Sequence, residues 1–185
     1  SNPDQFYHIL LDDFNYPSRV IAPYGQYRYE AQYAWFPNSI YLESKDRQSL
    51  LNDEIAAIVL DNIEIWKRAF PTKGKPICLG MSQGGDIAFT LGAKHADRFG
   101  LILPIAGRLL TDDLVEHENA GVIRVHAGMK DPHVPLEGVR KATRHLLTAK
   151  LDVEVREYYD VGHSIPEEMV AAIHENIHVA LNGDC

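Results

Sequence analysis

In the stretch Gly80-Met81-Ser82-Gln83-Gly84-Gly85, residue types and spacing suggest covalent chemistry. It follows the apolar run Ile77-Cys78-Leu79 and opens a helical pattern, Asp86-Ile87-Ala88-Phe89. A G-x-S-x-G pentapeptide between strand and helix lifts a serine hydroxyl above a sheet edge on a tight, strained turn. The turn predicts glycine as a requirement at both Gly80 and Gly84, where any side chain would collide, while Gly85 lets the helix approach the sheet. It also aims the helix N-terminus at the reacting carbonyl, which makes the Gln83 backbone N–H an oxyanion donor. With 13 glycines in the chain, roughly 0.03 such pentapeptides would arise by chance. The chemistry implied is attack of Ser82 on an acyl carbon.

A serine hydroxyl is a weak nucleophile until a base takes its proton, and the base needs a third group to fix its tautomer. In strand–turn–helix sites of this kind the acid and then the histidine follow the serine along the chain. Asp131 lies in the loop after the apolar run Val122–Ala127, stiffened by Pro132 and Pro135. His163 follows the run Val153–Tyr158, with Gly162 allowing the chain to turn. Asp112 and Asp113 are rivals for the acid but have no strand just before them, and Asp160 is too close to His163 in sequence. His133 shares the acid's loop, whereas His126, at the end of its strand, reads as a packed, hydrogen-bonded residue. The assignment is Ser82 as nucleophile, His163 as base and Asp131 as orienting acid.

His174-Glu175-Asn176-Ile177-His178 matches H-E-x-x-H on a predicted helix, a pattern that holds zinc in peptidases. A third ligand would have to come from upstream, and Val170, Ile173, Ile177 and Leu181 form the packing stripe, leaving both histidines at its flank. Surface histidines on an amphipathic helix are the better reading, and no metal is expected.

The elements that must position these residues read as one α/β domain over 1–185. Strands are predicted at Arg19–Ala22, Pro76–Leu79, Gly100–Ile105, Val122–Ala127 and Val153–Tyr158. Most are continuous apolar runs, as in strands covered on both faces; Val153–Tyr158 alternates, which suits an edge. Helices are predicted at Asp46–Phe70, Gln83–His95, Leu136–Ala149 and Pro166–Leu181. The first carries a stripe of Leu51, Ile55, Ile58, Val59, Ile63 and Trp66 and stops at Pro71. The last has a capping box of Ser164 and Glu167. Ser1 to Gln5 reads as loop. Pro23 to Ser39 is an irregular aromatic stretch, and such loops often carry function.

The net charge is −8 and 45% of residues are hydrophobic. This acidic balance excludes a nucleic-acid partner, which needs a basic footprint. No apolar run approaches a membrane span. Cys78 and Cys185 read as free thiols, favouring a reducing, cytoplasmic compartment.

The elbow, the loop Asp131-Pro132-His133-Val134-Pro135 and Gly162-His163-Ser164 together resemble the phospholipase/carboxylesterase family, which includes the acyl-protein thioesterases. Val20-Ile21-Ala22-Pro23 and Ala34-Trp35-Phe36 resemble that family's strand and substrate-side loop. Serine rather than cysteine at position 82 separates the chain from the similar dienelactone hydrolases. The resemblance implies an α/β-hydrolase fold, a mostly parallel sheet with helices on both faces. It also implies a cofactor-free esterase or thioesterase with a triad at Ser82, Asp131 and His163 and a small-molecule acyl substrate. Trp35, Phe36, Leu109 and Leu110 would line the acyl side. With no large insertion for a lid, small or medium acyl groups are favoured. The family carries a central strand ending in His-Gly before a loop like Asn2-Pro3-Asp4-Gln5-Phe6, so the sequence reads as lacking its N-terminal strands and a second oxyanion donor. The alternatives are an α/β-hydrolase-like domain that binds without catalysis and a zinc peptidase using His174 and His178.

Overall fold

A computed structural model describes residues 3–29 and 32–183. Helix α1 (Pro3–Leu11) leads into an irregular segment and a small antiparallel pair of β1 (Tyr27–Tyr29) and β2 (Gln32–Ala34). A short 3-10 turn at Asn38–Leu42 precedes α2 (Lys45–Ala69). Then β3 (Ile77–Met81), α3 (Gln83–His95), β4 (Leu101–Ile105), β5 (Val122–Gly128), α4 (Leu136–Thr148), β6 (Val153–Tyr158) and α5 (Glu167–Asn182) follow. Strands β3, β4, β5 and β6 form one all-parallel sheet in that spatial order. Parallel neighbours require crossovers; α3 supplies the one from β3 to β4 and α4 the one from β5 to β6, while β4 and β5 are joined by the non-helical segment 106–121.

The period of two along each strand divides the core. In β4, Ile102 faces a cluster with Ile55 and Ala56 of α2, Phe89 of α3 and Leu146 of α4. Leu101, Leu103 and Ile105 face the opposite cluster, with Leu10 of α1 and Met169 and Ile173 of α5. Both faces of the sheet are therefore covered, and every residue of β4 is buried. The edge strand β6 alternates as predicted, with Glu154 and Arg156 exposed between more buried neighbours.

Ser44 caps α2, its hydroxyl accepting the Arg47 N–H at 3.3 Å. The helix stops before Pro71, which cannot continue the ladder. Ile55 lies in the core and Leu51, Val59 and Ile63 pack against it, but Ile58 from the predicted stripe is 47% exposed. The buried polar residue of this helix is Asn52, whose amide reaches the Asp86 carbonyl at 3.2 Å and the Thr90 hydroxyl, stitching α2 to α3.

Three expectations are corrected. Arg19–Ala22 forms no strand and joins no ladder among the described residues, a strand being defined by a neighbour to pair with; Val20 and Ile21 are 44% and 40% exposed. The segment from Pro3 is helix, not loop: proline's fixed φ suits the first helical position and Asp4 favours the helix N-terminus. The Ser164 capping box does not form, because Pro166 holds the N-cap position of α5 with an extended backbone and no side chain caps it. Ser1, Asn2 and Cys185 lie outside the described residues.

Close approach of α3 to β4 rests on Gly85, where an added Cβ would sit 2.7 Å from the Ile105 carbonyl oxygen. Gly138, in the first turn of α4, would meet nothing within 4 Å. Gly85→Ala is therefore expected to destabilise the fold by about 3 kcal/mol through overpacking. Gly138→Ala should stabilise it by about 0.5–1 kcal/mol through helix propensity. Denaturant midpoints of the two variants against wild type check both signs.

Candidate active site

Ser82 joins β3 to α3 with φ 57° and ψ −118°, a conformation L-residues avoid. It costs on the order of 1–3 kcal/mol and persists only because the surroundings impose it. Those surroundings are explicit: the Ser82 N–H donates to Ile105 O at 2.9 Å, and its own carbonyl accepts the Asp86 N–H at 2.9 Å to start α3. A Cβ on Gly80 would fall 2.0 Å from the Gly84 carbonyl oxygen, so glycine is required there. The expectation for Gly84 is corrected: a Cβ at that position would meet only Trp35 Nε1, at 3.9 Å, an ordinary contact on the outer side of the turn. The N–H of Gln83 is one of the first helical amides, which lack an intrahelical acceptor.

The loops after β5 and β6 are laced together. Met129 N–H donates to Tyr158 O at 2.9 Å and Lys130 N–H to Val161 O at 2.9 Å. This brings Asp131 beside His163, whose Nδ1 lies 2.7 Å from Asp131 Oδ2. The other carboxylate oxygen, Oδ1, accepts the backbone N–H groups of His133 and Val134 at 2.8 and 2.9 Å. Burial by itself raises the Asp131 pKa, but the His163 bond and the two backbone donors outweigh it and hold the carboxyl below its ordinary value. With Asp131 ionised, Nδ1 carries the proton, which leaves Nε2 as the acceptor. The His133 ring packs edge-on to His163, with centroids 5.1 Å apart.

Because β3, β5 and β6 run parallel in one sheet, their C-terminal ends share one rim. Ser82, Asp131 and His163 each follow one of those ends. Loops at the carboxyl ends of parallel strands are the common ligand site of open α/β sheets.

Beside the elbow lies a group that the sequence reading left out. Asp86 is fully buried, accepting the Arg108 backbone N–H at 2.6 Å and the Arg108 Nη2 at 2.8 Å. Burial pushes its carboxyl up, against the pull of Arg108 and, more weakly, His163. The guanidinium carbon of Arg108 sits 3.9 Å from the centre of the Tyr41 ring. The available signal was a lone carboxylate in the run Gln83–His95, whose middle is otherwise apolar.

The expected acyl-side residues fare unequally. Trp35 is half-buried against the elbow helix, and Leu109 and Leu110 are half-buried after Arg108. Phe36 is 1% exposed and packs in the core, so it presents no surface to a ligand in this structure. The aromatic stretch is not a free loop; it forms the β1–β2 pair and the 3-10 turn.

The histidines of the H-E-x-x-H sequence are engaged elsewhere. His174 Nε2 meets the Leu10 carbonyl at 2.6 Å, and His178 contacts the Tyr16 hydroxyl and the Asn182 amide. Among the described residues no group of three or more His, Cys, Asp or Glu is gathered to hold a metal ion. His126 is buried, bonded to Tyr158 and Asn176, and burial lowers its pKa to about 4. No helix among the described residues is long and apolar enough to cross a membrane.

A family model for phospholipase/carboxylesterase matches residues 18–181. No curated protein matches the chain. Among solved structures, esterase PE8 is 20% identical with a TM-score of 0.73, covering 95% of this chain and 82% of its own. A Bacillus cereus carboxylesterase is 15% identical with a TM-score of 0.68, covering 85% and 73%. The Arabidopsis thaliana SOBER1 structure is 22% identical with a TM-score of 0.61, covering 75% and 66%. At these identities the solved structures establish a shared fold, that of the α/β-hydrolases. The match over 18–181 goes further: this chain belongs to the phospholipase/carboxylesterase family, whose members are hydrolases of carboxylic esters.

Proposed function

We propose that this chain is a serine carboxylesterase or thioesterase that hydrolyses small or medium acyl esters through an acyl-enzyme. The observation that carries the reading is the 2.7 Å pairing of His163 with a buried, doubly capped Asp131 on the rim where strained Ser82 stands.

His163 Nε2 takes the Ser82 Oγ proton as Oγ attacks the carbonyl carbon. The carbonyl π electrons move to its oxygen, which the Gln83 N–H at the head of the 13-residue α3 receives. Asp131 holds the imidazolium that forms and keeps its ring in register. Collapse of the tetrahedral intermediate breaks the bond to the leaving oxygen or sulfur, and His163 returns the proton to it. A water, deprotonated by His163, then attacks the acyl-enzyme and releases the carboxylic acid and free Ser82.

The acyl side is apolar. A groove between the β1–β2 segment and α2 is lined by Pro23, Tyr24, Trp35, Ile55, Ile58 and Val59. Trp35 belongs to both this groove and the elbow, so an acyl chain leaving Ser82 along the indole stays on apolar surface. This suits a short or medium chain better than bulk lipid.

A fluorophosphonate tests the reading directly, since it phosphonylates only an activated serine. Peptide mass mapping is expected to place a single adduct on Ser82, with labelling slowed by p-nitrophenyl butyrate. An unlabelled Ser82 in folded protein would overturn the esterase reading in favour of a binding domain.

A further inference from the structure

The side chain of Gln83 is held in a way that the oxyanion role of its backbone does not require. Its Oε1 accepts two successive backbone N–H groups, Trp35 at 2.8 Å and Phe36 at 3.2 Å. These amides belong to the turn after β2, distant in sequence and attached to α3 through this carboxamide. Arg108 stacks on the Tyr41 ring and is pinned by buried Asp86 in the first turn of α3.

We infer that the Gln83 side chain is a positioning residue that clamps the Trp35–Phe36 segment to the nucleophile elbow and thereby sets acyl-group selectivity. The inference rests on the esterase reading above and assigns to its site a specificity device. Trp35 is half-buried, and its indole reaches Gly84, one residue past the clamp. An amide oxygen with two acceptor sites is matched to two adjacent donors. Without it, both N–H groups lose their partner in a part-buried setting and must move toward water. Moving them takes Trp35 off the elbow while leaving the Gln83 backbone N–H, Ser82, Asp131 and His163 in place. Loss of the clamp should therefore alter the contact with the acyl chain more than the reaction at the carbonyl.

The test compares Gln83→Met, which keeps size and removes the acceptor, with Gln83→Glu, which keeps it. The readout is the ratio of kcat/KM for p-nitrophenyl hexanoate to that for the acetate, so any uniform loss of rate cancels. In Gln83→Met the ratio is expected to fall at least about fivefold, mainly through KM. Gln83→Glu should hold the ratio near wild type even if its charge slows both esters. A wild-type ratio in Gln83→Met overturns the inference.

A second readout does not depend on activity. In a Trp66→Phe background Trp35 is the remaining tryptophan. Its acrylamide quenching is expected to rise in Gln83→Met and stay low in Gln83→Glu. If wild-type protein hydrolyses no ester, the esterase reading falls and the quenching decides whether the clamp exists. Equal quenching in all three proteins overturns it.

Discussion

Ser82→Ala is expected to lower kcat for p-nitrophenyl butyrate by about 10⁶-fold, leaving KM within a few-fold of wild type. The variant removes one atom, Oγ, and with it the bond that forms the acyl-enzyme. The backbone of the elbow is unaffected, because alanine has the same Cβ and meets the same φ of 57° that serine already tolerates. The N–H to Ile105 O and the carbonyl to Asp86 N–H remain. Stability should therefore change by less than about 0.5 kcal/mol, which denaturant unfolding checks alongside the rate. Such a pairing of lost turnover with retained fold is what separates a nucleophile from a turn-forming serine. Residual activity above a tenth of wild type would mean that the hydrolysis arises elsewhere and would end the serine mechanism.

The parts of the molecule legible in the sequence are those whose signal is local. The strand–turn–helix motif located β3 and α3, and the apolar runs located β4 and β5, because strands covered on both faces are largely apolar; β6 was legible instead from its alternation, Glu154 and Arg156 facing out at the sheet edge. Asp131 and His163 were singled out by a rule about position, loops after strands, and the two side chains lie 2.7 Å apart. What escaped depends on partners distant in the chain. Arg19–Ala22 has the composition of a strand, but a strand exists only with a neighbour to pair with. Ser164 and Glu167 have the spacing of a capping box, yet Pro166 between them fixes an extended backbone where the box needs the helix to begin. Phe36 and Trp35 are adjacent aromatics of similar character, and nothing local says that the first turns into the core while the second stays at the elbow. The pairing of Asp86 with Arg108 joins residues 22 apart through the approach of α3 to the loop after β4. The tie from Gln83 to Trp35 spans 48. Periodicity and motif carry no term for either.

Asp131→Asn is expected to reduce kcat/KM about 10⁴-fold, and the structure gives a reason more specific than lost charge. The two backbone donors, His133 and Val134 N–H, both point at one carboxylate oxygen. An asparagine in this place must turn its amide oxygen toward them and its NH₂ toward His163. That NH₂ donates to Nδ1, so the proton of the neutral imidazole moves to Nε2, where no lone pair is left to accept from Ser82. The stability of the variant should depart from wild type in a pH-dependent way. The folded-state pKa of Asp131 lies below its unfolded value, so its contribution is fully present above the unfolded pKa and is lost as pH falls through the depressed folded one. Wild type should lose stability across that acid window, whereas the asparagine variant, having no carboxyl to protonate there, should lose less. Unfolding midpoints measured from neutral pH down to about 3, below the usual carboxylate range, should therefore converge for the two proteins. Parallel curves, or activity retained in Asp131→Asn, would remove Asp131 from the role of orienting acid.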